Sequence, residues 1–403
     1  MMATASPLKV LHLSFNLGDA AVHKRAAMLL QGGAKVTLAG FRRTHVAIPH
    51  IHDCPTVNFG QTYNGHFIQR IGAVLRVLCT LRRHRTLFAD AEIIIARNME
   101  MLAIAVCGRA LLNPAASIIY ESLDIHRLLV APGIIGFIMR ALEGFLSRRA
   151  HAMITSSGAF IHQYFNVHSK VRLPYRLVEN KVLATVNFPP PKPQMPPRPD
   201  APPWRIGLFG IIRCSRSLDL LSNLVKTYPG MIEVVIRGRP ALDQIPDFHD
   251  RIAATPGLTF LGAYKNPDDL VAMYREIHFN WLIDMYEDGQ NSTWLLPNRL
   301  YEGGVFDAIP LARSTDASGR YLKELQAGVI LPAPLHKTLH GFFQHLTPKY
   351  YRELATSIAA VPSRIWIDSP SDCTSFVNFL TTYKNQTNHI VKETYYAGSN
   401  VQT

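Results

Sequence analysis

The chain has 403 residues, 48% hydrophobic and 18% charged, a globular composition long enough for two domains of roughly 100–200 residues each. Its five cysteines, Cys54, Cys79, Cys107, Cys214 and Cys373, are scattered and lack CxxC or Cys/His ligand spacing, which argues against a disulfide framework and a zinc site. The net charge of +13 is lopsided: residues 1–185 hold 21 Lys and Arg against 9 Asp and Glu, a net +12, while residues 186–403 hold 21 against 20. Such a one-sided field suits an anionic surface. With no aromatic–basic RNA signature and no helix-turn-helix pattern, it points to the anionic inner face of a membrane rather than to nucleic acid.

Short apolar runs alternate with amphipathic stretches, the mark of parallel βαβ units and of a doubly wound α/β protein. KVLHLSF (9–15) predicts a first strand and has no signal-peptide cleavage site after it. The loop behind it sets Asn16, Gly18 and Asp19 at the strand's C-terminal end, with His23, Lys24 and Arg25 on the following helix. It lacks GxGxxG spacing, so a dinucleotide-binding turn is excluded. After AKVTLAG, the stretch HFIQRIGAVLRVLCTLRRHR (66–85) repeats Phe67, Ile71, Val74, Leu75 and Leu78 at helical spacing, interleaved with Arg70, Arg76, Arg82, Arg83 and Arg85. That pattern fits a core-facing helix with a solvated basic face, or a helix lying on anionic lipid.

The strand EIIIAR ends on Arg97 and Asn98, and SIIYES is followed directly by LDIHRLL, which puts Asp124 just past a strand end between Glu121 and His126. An Asp in front of a helix is by default its N-cap. A strand AMITSS follows the longest apolar run, LLVAPGIIGFIMRALEGFL (128–146), whose Pro132, Arg140 and Glu143 make it a poor membrane span. FPPPKPQMPPRPDAPP (188–203) admits neither helix nor central sheet and reads as a linker. The predicted domains are therefore residues 1–187 and 204–370, with a helical tail over 371–403.

WRIGLFG, MIEVVIRG, LTFLGAY, HFNWLID, IPLARS and GVILPA are the strands of the second domain. After the first, FGIIRCSRSL offers Gly210 for close approach and Arg213, Arg216 and Ser217 ahead of a helix. IRGRP brings Arg237, Gly238 and Arg239 to the same sheet edge. In DMYEDGQNSTWLLPNRLYEGG the strand HFNWLID leads through a polar loop into a helix opening on Asn298, Arg299 and Glu302. A helix start offers N–H groups and, here, a guanidinium to a phosphate, and a carboxylate one turn on can accept from a ribose diol.

PNRLYEGGVFDAIPLA resembles the nucleotide-sugar signature of glycosyltransferases of the B fold, two doubly wound Rossmann-like domains facing a central cleft. In that family the Glu matching Glu302 holds the donor ribose. A second Glu eight residues earlier marks the commonest retaining enzymes, and Trp294 stands there instead. FGIIRCSRSL resembles the family's Gly-rich diphosphate loop. SIIYESLDIHRLL resembles the strand end of bacterial exopolysaccharide glycosyltransferases of the xanthan type, where an Asp is the general base, and the loop through Asn16, Gly18 and Asp19 resembles their acceptor loop.

The resemblance implies a metal-independent, inverting hexosyltransferase with Asp124 as base, Glu121 and His126 being competitors for that role. Gly210, Arg213, Arg216, Ser217, Arg239, Asn298, Arg299 and Glu302 are the donor set, and Asn16, Gly18, Asp19, Arg97, Asn98 and His126 the acceptor set. No metal or cofactor is expected, since no DxD motif appears near the donor set. The implied partners are a nucleotide sugar, by similarity UDP-glucose, and a polyprenyl-diphosphate-linked oligosaccharide, met from the cytoplasm at the inner membrane. The final helix is expected to cross back onto the first domain. A sugar-nucleotide epimerase of the same fold and a non-catalytic nucleotide-sugar-binding protein are the alternatives.

Overall fold

A computed structural model describes residues 6–43, 48–63, 67–186, 188–189, 198–384 and 386. Residues 190–197 of the proline-rich segment, the tail beyond 386 and the side chains of Phe67 and Ile68 lie outside this description. The chain separates into two compact units, residues 1–179 with 369–403, and residues 180–368. The first boundary thus falls eight residues earlier than the sequence predicts, and residues 198–203 group with the second unit.

Among the described residues of the first unit, eight strands form one sheet. They are β1 (Lys9–Ser14), β2 (Lys35–Arg42), β3 (His50–Ile51), β4 (Cys54–Gln61), β5 (Ile93–Arg97), β6 (Ser117–Ser122), β7 (Ala152–Thr155) and β8 (Tyr175–Leu177). Their order is β3-β4-β2-β1-β5-β6-β7-β8, parallel except for the two-residue β3. The central strands are apolar on both faces because helices cover both: Ile93, Ile94, Ile95 and Ala96 have no exposed surface. Strand β4 was not legible in the sequence. Pro55 and Gly60, the latter at φ +129°, break its apolar pattern, and a place beside the short edge strand tolerates both.

The second unit repeats the plan with β9 (Val182–Leu183), β10 (Trp204–Ile212), β11 (Ile232–Pro240), β12 (Leu258–Phe260), β13 (Phe279–Trp281), β14 (Ile309–Arg313), β15 (Val329–Leu331) and β16 (Ile367–Asp368). Six of them make a parallel sheet in the order β12-β11-β10-β13-β14-β15, and β9 pairs with β16. The strand order reverses at β10. Beside that point an open α/β sheet leaves a crevice at the carboxyl ends of its strands.

The C-terminal segment belongs to the first unit. Helix Pro370–Thr381 packs on helix Ala20–Gln31 so closely that a Cβ on Gly32 would meet the Cys373 carbonyl at 2.5 Å. The Arg176 guanidinium donates to the Ser375 carbonyl and hydroxyl, each at 2.9 Å, and Lys384 pairs with Glu92 at 2.7 Å.

Candidate functional site

At the carboxyl edge of the second sheet, β10 and β11 are held together through two glycines. Gly210 and Gly238 are in register, both at positive φ, and a Cβ on Gly238 would fall 1.8 Å from the Gly210 carbonyl oxygen. No larger residue fits there without parting the strands. Gly238→Ala is expected to cost about 2 kcal/mol or more, seen as an earlier urea midpoint at unchanged slope. An unchanged midpoint would mean that the strand edge relaxes freely.

Beyond Gly210 the chain turns into helix Ser215–Thr227, capped only by the Cys214 thiol, whose Sγ accepts from Ser217 N at 3.3 Å and from Met285 N at 3.2 Å. A thiol is a weak acceptor, so the N–H groups of this helix start stay open to a stronger anion. Arg213 lies beside it. Its Nε and Nη2 both donate to one oxygen of Asp284, at 3.2 and 3.0 Å, and its guanidinium lies 4.9 Å from the centre of the Tyr286 ring. That contact fixes the guanidinium in place while leaving part of its five-donor fork unused.

The other predicted donor residues are less uniform. Arg216 is exposed and bound to Asp288, which also takes Arg313 at 2.6 Å; the Arg313 hydrogen bond holds the Asp288 carboxyl below its usual range. Arg239 is exposed and makes no ion pair among the described residues. Ser217 is a correction: its hydroxyl is buried and donates to the Ile283 carbonyl at 2.9 Å, so it ties the helix to the strand beside it.

Helix Asn298–Val305 starts after Pro297 with no side-chain cap, and Asn298 is exposed at its first position. Arg299 reaches the Leu282 carbonyl at 3.0 Å, and its Nε has no acceptor among the described residues. Glu302, unlike Asn298, is enclosed. One helical turn inward it is only 5% exposed, and its oxygens accept from Asn266 Nδ2 at 2.8 Å and the Tyr274 hydroxyl at 3.0 Å. Burial, then the Glu302 charge, pushes the Tyr264 phenol well above its ordinary range, which places Tyr264 beside the same carboxylate. Asp284 and Tyr286 on one loop, Tyr264 and Asn266 on another, and Tyr274 on helix Leu270–Arg275 were missed as members of this cluster because the three segments lie apart from helix Asn298–Val305 in the sequence. A cavity of about 190 Å³ lined by Arg198, Pro203, Arg205, Arg275 and His278 lies where β10 and β13 begin, at the opposite edge from this cluster.

At the carboxyl edge of the first sheet, Asp19 caps helix Ala20–Gln31 by accepting from Ala21 N at 3.0 Å, and its second oxygen meets Arg97 Nη2 at 3.3 Å. Asn16 accepts from Gly18 N, closing the turn. Asn98 opens the next helix at φ +71°, a left-handed conformation that costs a non-glycine residue.

Asp124 is exposed, and among the described residues its carboxylate has no hydrogen-bond donor. The helix cap expected of it is made by His126, whose Nδ1 accepts from Leu128 N at 3.3 Å. The protein crowded around Asp124 raises its carboxyl above the ordinary range by desolvation. Arg97 is the main opposing charge, and Asp19 adds to the rise.

Glu121 falls away as a competitor. It has no exposed surface, and Arg25 Nε donates to it at 2.7 Å while His12 Nε2 lies 3.3 Å from its other oxygen. Burial alone would raise its carboxyl, but the Arg25 charge and then the His12 contact reverse the sign and hold it far below the usual range. Among the described residues no three His, Cys, Asp or Glu side chains converge as a metal would require.

No family model matches the chain. The succinoglycan biosynthesis protein ExoL of Rhizobium meliloti is 41% identical over 395 residues, 97% of this chain and 98% of that protein. The chain belongs to the ExoL family. Sucrose-phosphate synthase from Thermosynechococcus elongatus superposes with a TM-score of 0.68 at 11% identity, over 93% of this chain and 98% of that one. HepE from Anabaena, in complex with UDP-glucose, superposes with a TM-score of 0.65 at 13% identity, over 93% and 99%. These likenesses show the glycosyltransferase B fold, in which the ExoL-family chain carries two Rossmann-like sheets.

Proposed function

We propose that this protein is an inverting hexosyltransferase of succinoglycan-type exopolysaccharide synthesis. It takes glucose from UDP-glucose to a polyprenyl-diphosphate-linked oligosaccharide. The kinship with ExoL over nearly the whole of both chains carries this reading. HepE, which shares the fold, holds UDP-glucose in its own structure, and that supports the choice of donor.

Phosphate recognition falls to two helix starts without a strong side-chain cap, at Ser215 and Asn298, together with Arg213, Arg299 and Arg239. Fixed guanidiniums and N–H groups stabilise a departing diphosphate without a metal. Asp124 takes the proton of the acceptor hydroxyl. It is an unpaired carboxylate with a raised pKa, closer to working pH than an ordinary Asp, which suits a general base. Inversion follows from a single displacement with that base and agrees with Trp294, a buried residue, standing where retaining relatives have a Glu.

Two substitutions test the donor side by calorimetry with UDP. Arg213→Ala is expected to weaken UDP binding roughly ten- to hundredfold, the loss of one charge-assisted contact. Glu302→Gln, which keeps the shape that Asn266 and Tyr274 enclose, is expected to weaken binding by a similar factor if the carboxylate holds the ribose. Unchanged affinity in both variants would remove the diphosphate pocket from this edge. Mass spectrometry of lipid-linked intermediates from a deletion strain identifies the acceptor and the sugar added, and an unchanged set of intermediates would sink the transferase reading.

A further inference from the structure

Helix Gly133–Ser147 is inverted relative to an ordinary surface helix. Its inward side carries Glu143, whose buried carboxylate accepts from the hydroxyls of Tyr120 at 2.9 Å and of Tyr164 and Ser169, each at 2.7 Å. Gly136 and Gly144 share that side: a Cβ would fall 1.8 Å from the Ala131 carbonyl oxygen at the first and 2.6 Å from Lys170 Cβ at the second. The outward side carries Ile134, Ile135, Phe137, Ile138, Leu142 and Phe145, all exposed, Ile134 to 77% and Phe137 to 57%. A helix on a soluble domain turns its apolar stripe inward, and a continuous exposed one marks a contact surface.

The rim of this face is cationic. The Arg149 guanidinium lies 4.4 Å from the Phe145 ring centre and the Lys170 ammonium 4.6 Å from that of Phe137, while Arg127 and Arg148 are exposed near the two helix ends. The helix's single carboxylate is the buried Glu143, so no acid on it offsets these charges. No helix among the described residues is long and apolar enough to cross a membrane.

We propose that this face seats in the headgroup and outer acyl layer of an anionic lipid bilayer, with the helix in the plane of the surface. A second copy of the chain on the same patch would bring two cationic rims together, because a two-fold contact pairs like with like. Anionic lipid neutralises the rim and continues the +12 charge of residues 1–185. Helix Phe67–Cys79 is less suited to insertion, since Ala73, Val74 and Val77 are buried in the unit; its exposed Arg76, with Arg82, Arg83 and Arg85 just beyond, adds charge. The insertion surface deepens the proposed use of a lipid-linked acceptor, but it is read from exposure and charge alone.

The full chain is expected to co-sediment with vesicles of phosphatidylglycerol and phosphatidylethanolamine and not with phosphatidylcholine. Ile134→Glu with Ile138→Glu should lower the bound fraction at least about tenfold, with melting temperature and UDP affinity unchanged. Phe137→Trp supplies an independent reading. The four native tryptophans are all buried in the second unit, so a blue shift, and quenching by brominated acyl chains, would report on residue 137 alone. Absence of vesicle binding by the native chain, absence of quenching at position 137, or a dimer that the double substitution dissociates would overturn the proposal. Loss of UDP binding or turnover with vesicle binding intact would count against the proposed function and leave this surface standing.

Discussion

Asp124→Asn is expected to lower turnover at least about a hundredfold while leaving UDP affinity within about twofold of native. The amide keeps the size of the side chain and removes only its ability to take a proton. Because the donor cluster lies in the other compact unit, binding and chemistry separate cleanly in this variant. The pH profile sharpens the test. A base works only when deprotonated, so activity is lost as pH falls through its pKa. With the Asp124 carboxyl raised by desolvation, that limb lies above the 3.8 of an ordinary Asp. Arg97 is the main charge favouring the anion, and Arg97→Gln should move the limb to still higher pH. A product with the donor's anomeric configuration, or a limb that ignores Arg97, would leave Asp124 with a positioning role only.

Glu121→Gln should destabilise the first unit by about 3–5 kcal/mol, the usual cost of leaving one member of a buried ion pair without its counter-charge. Arg25, nearly as buried, would keep a neutral amide acceptor, the Met28 sulfur at 3.1 Å and the face of Phe376 at 5.0 Å, but no counter-charge. Phe376 comes from the returning helix Pro370–Thr381, so the loss should also loosen the C-terminal segment, visible as faster amide exchange there. The pH sign follows from the depressed Glu121 carboxyl. Its contribution is complete above the unfolded value near 4.5 and fades as pH falls below it, so native and variant stabilities should converge in acid. A constant gap down to low pH would mean that packing rather than charge supports this site.

Eleven apolar runs in the sequence became the main strands of the two sheets, because a parallel strand covered on both faces must be apolar throughout and such runs are visible without any partner. The glycines at 210 and 238 and the polar loops after each strand were visible for a similar reason: the backbone there has to turn or come close to another chain segment. Asp124 was visible as a carboxylate just past a strand end. That Glu121 is sealed with Arg25 and His12, and so falls away as its competitor, depended on side chains contributed by β1 and helix Ala20–Gln31.

The donor cluster divided in the same way. Sequence spacing placed Asn298, Arg299 and Glu302 on one helix, but it could not show that Asn298 would be exposed and Glu302 enclosed by Asn266 and Tyr274, which arrive from another loop and helix. The run through Ile134, Ile138 and Leu142 was recognisable as apolar. Its direction was decided by Glu143, drawn inward by three hydroxyls from three separate elements. Local periodicity determines which residues share a face; which way the face turns is set by polar groups far away in the chain, because a buried carboxylate must find its donors wherever the fold brings them.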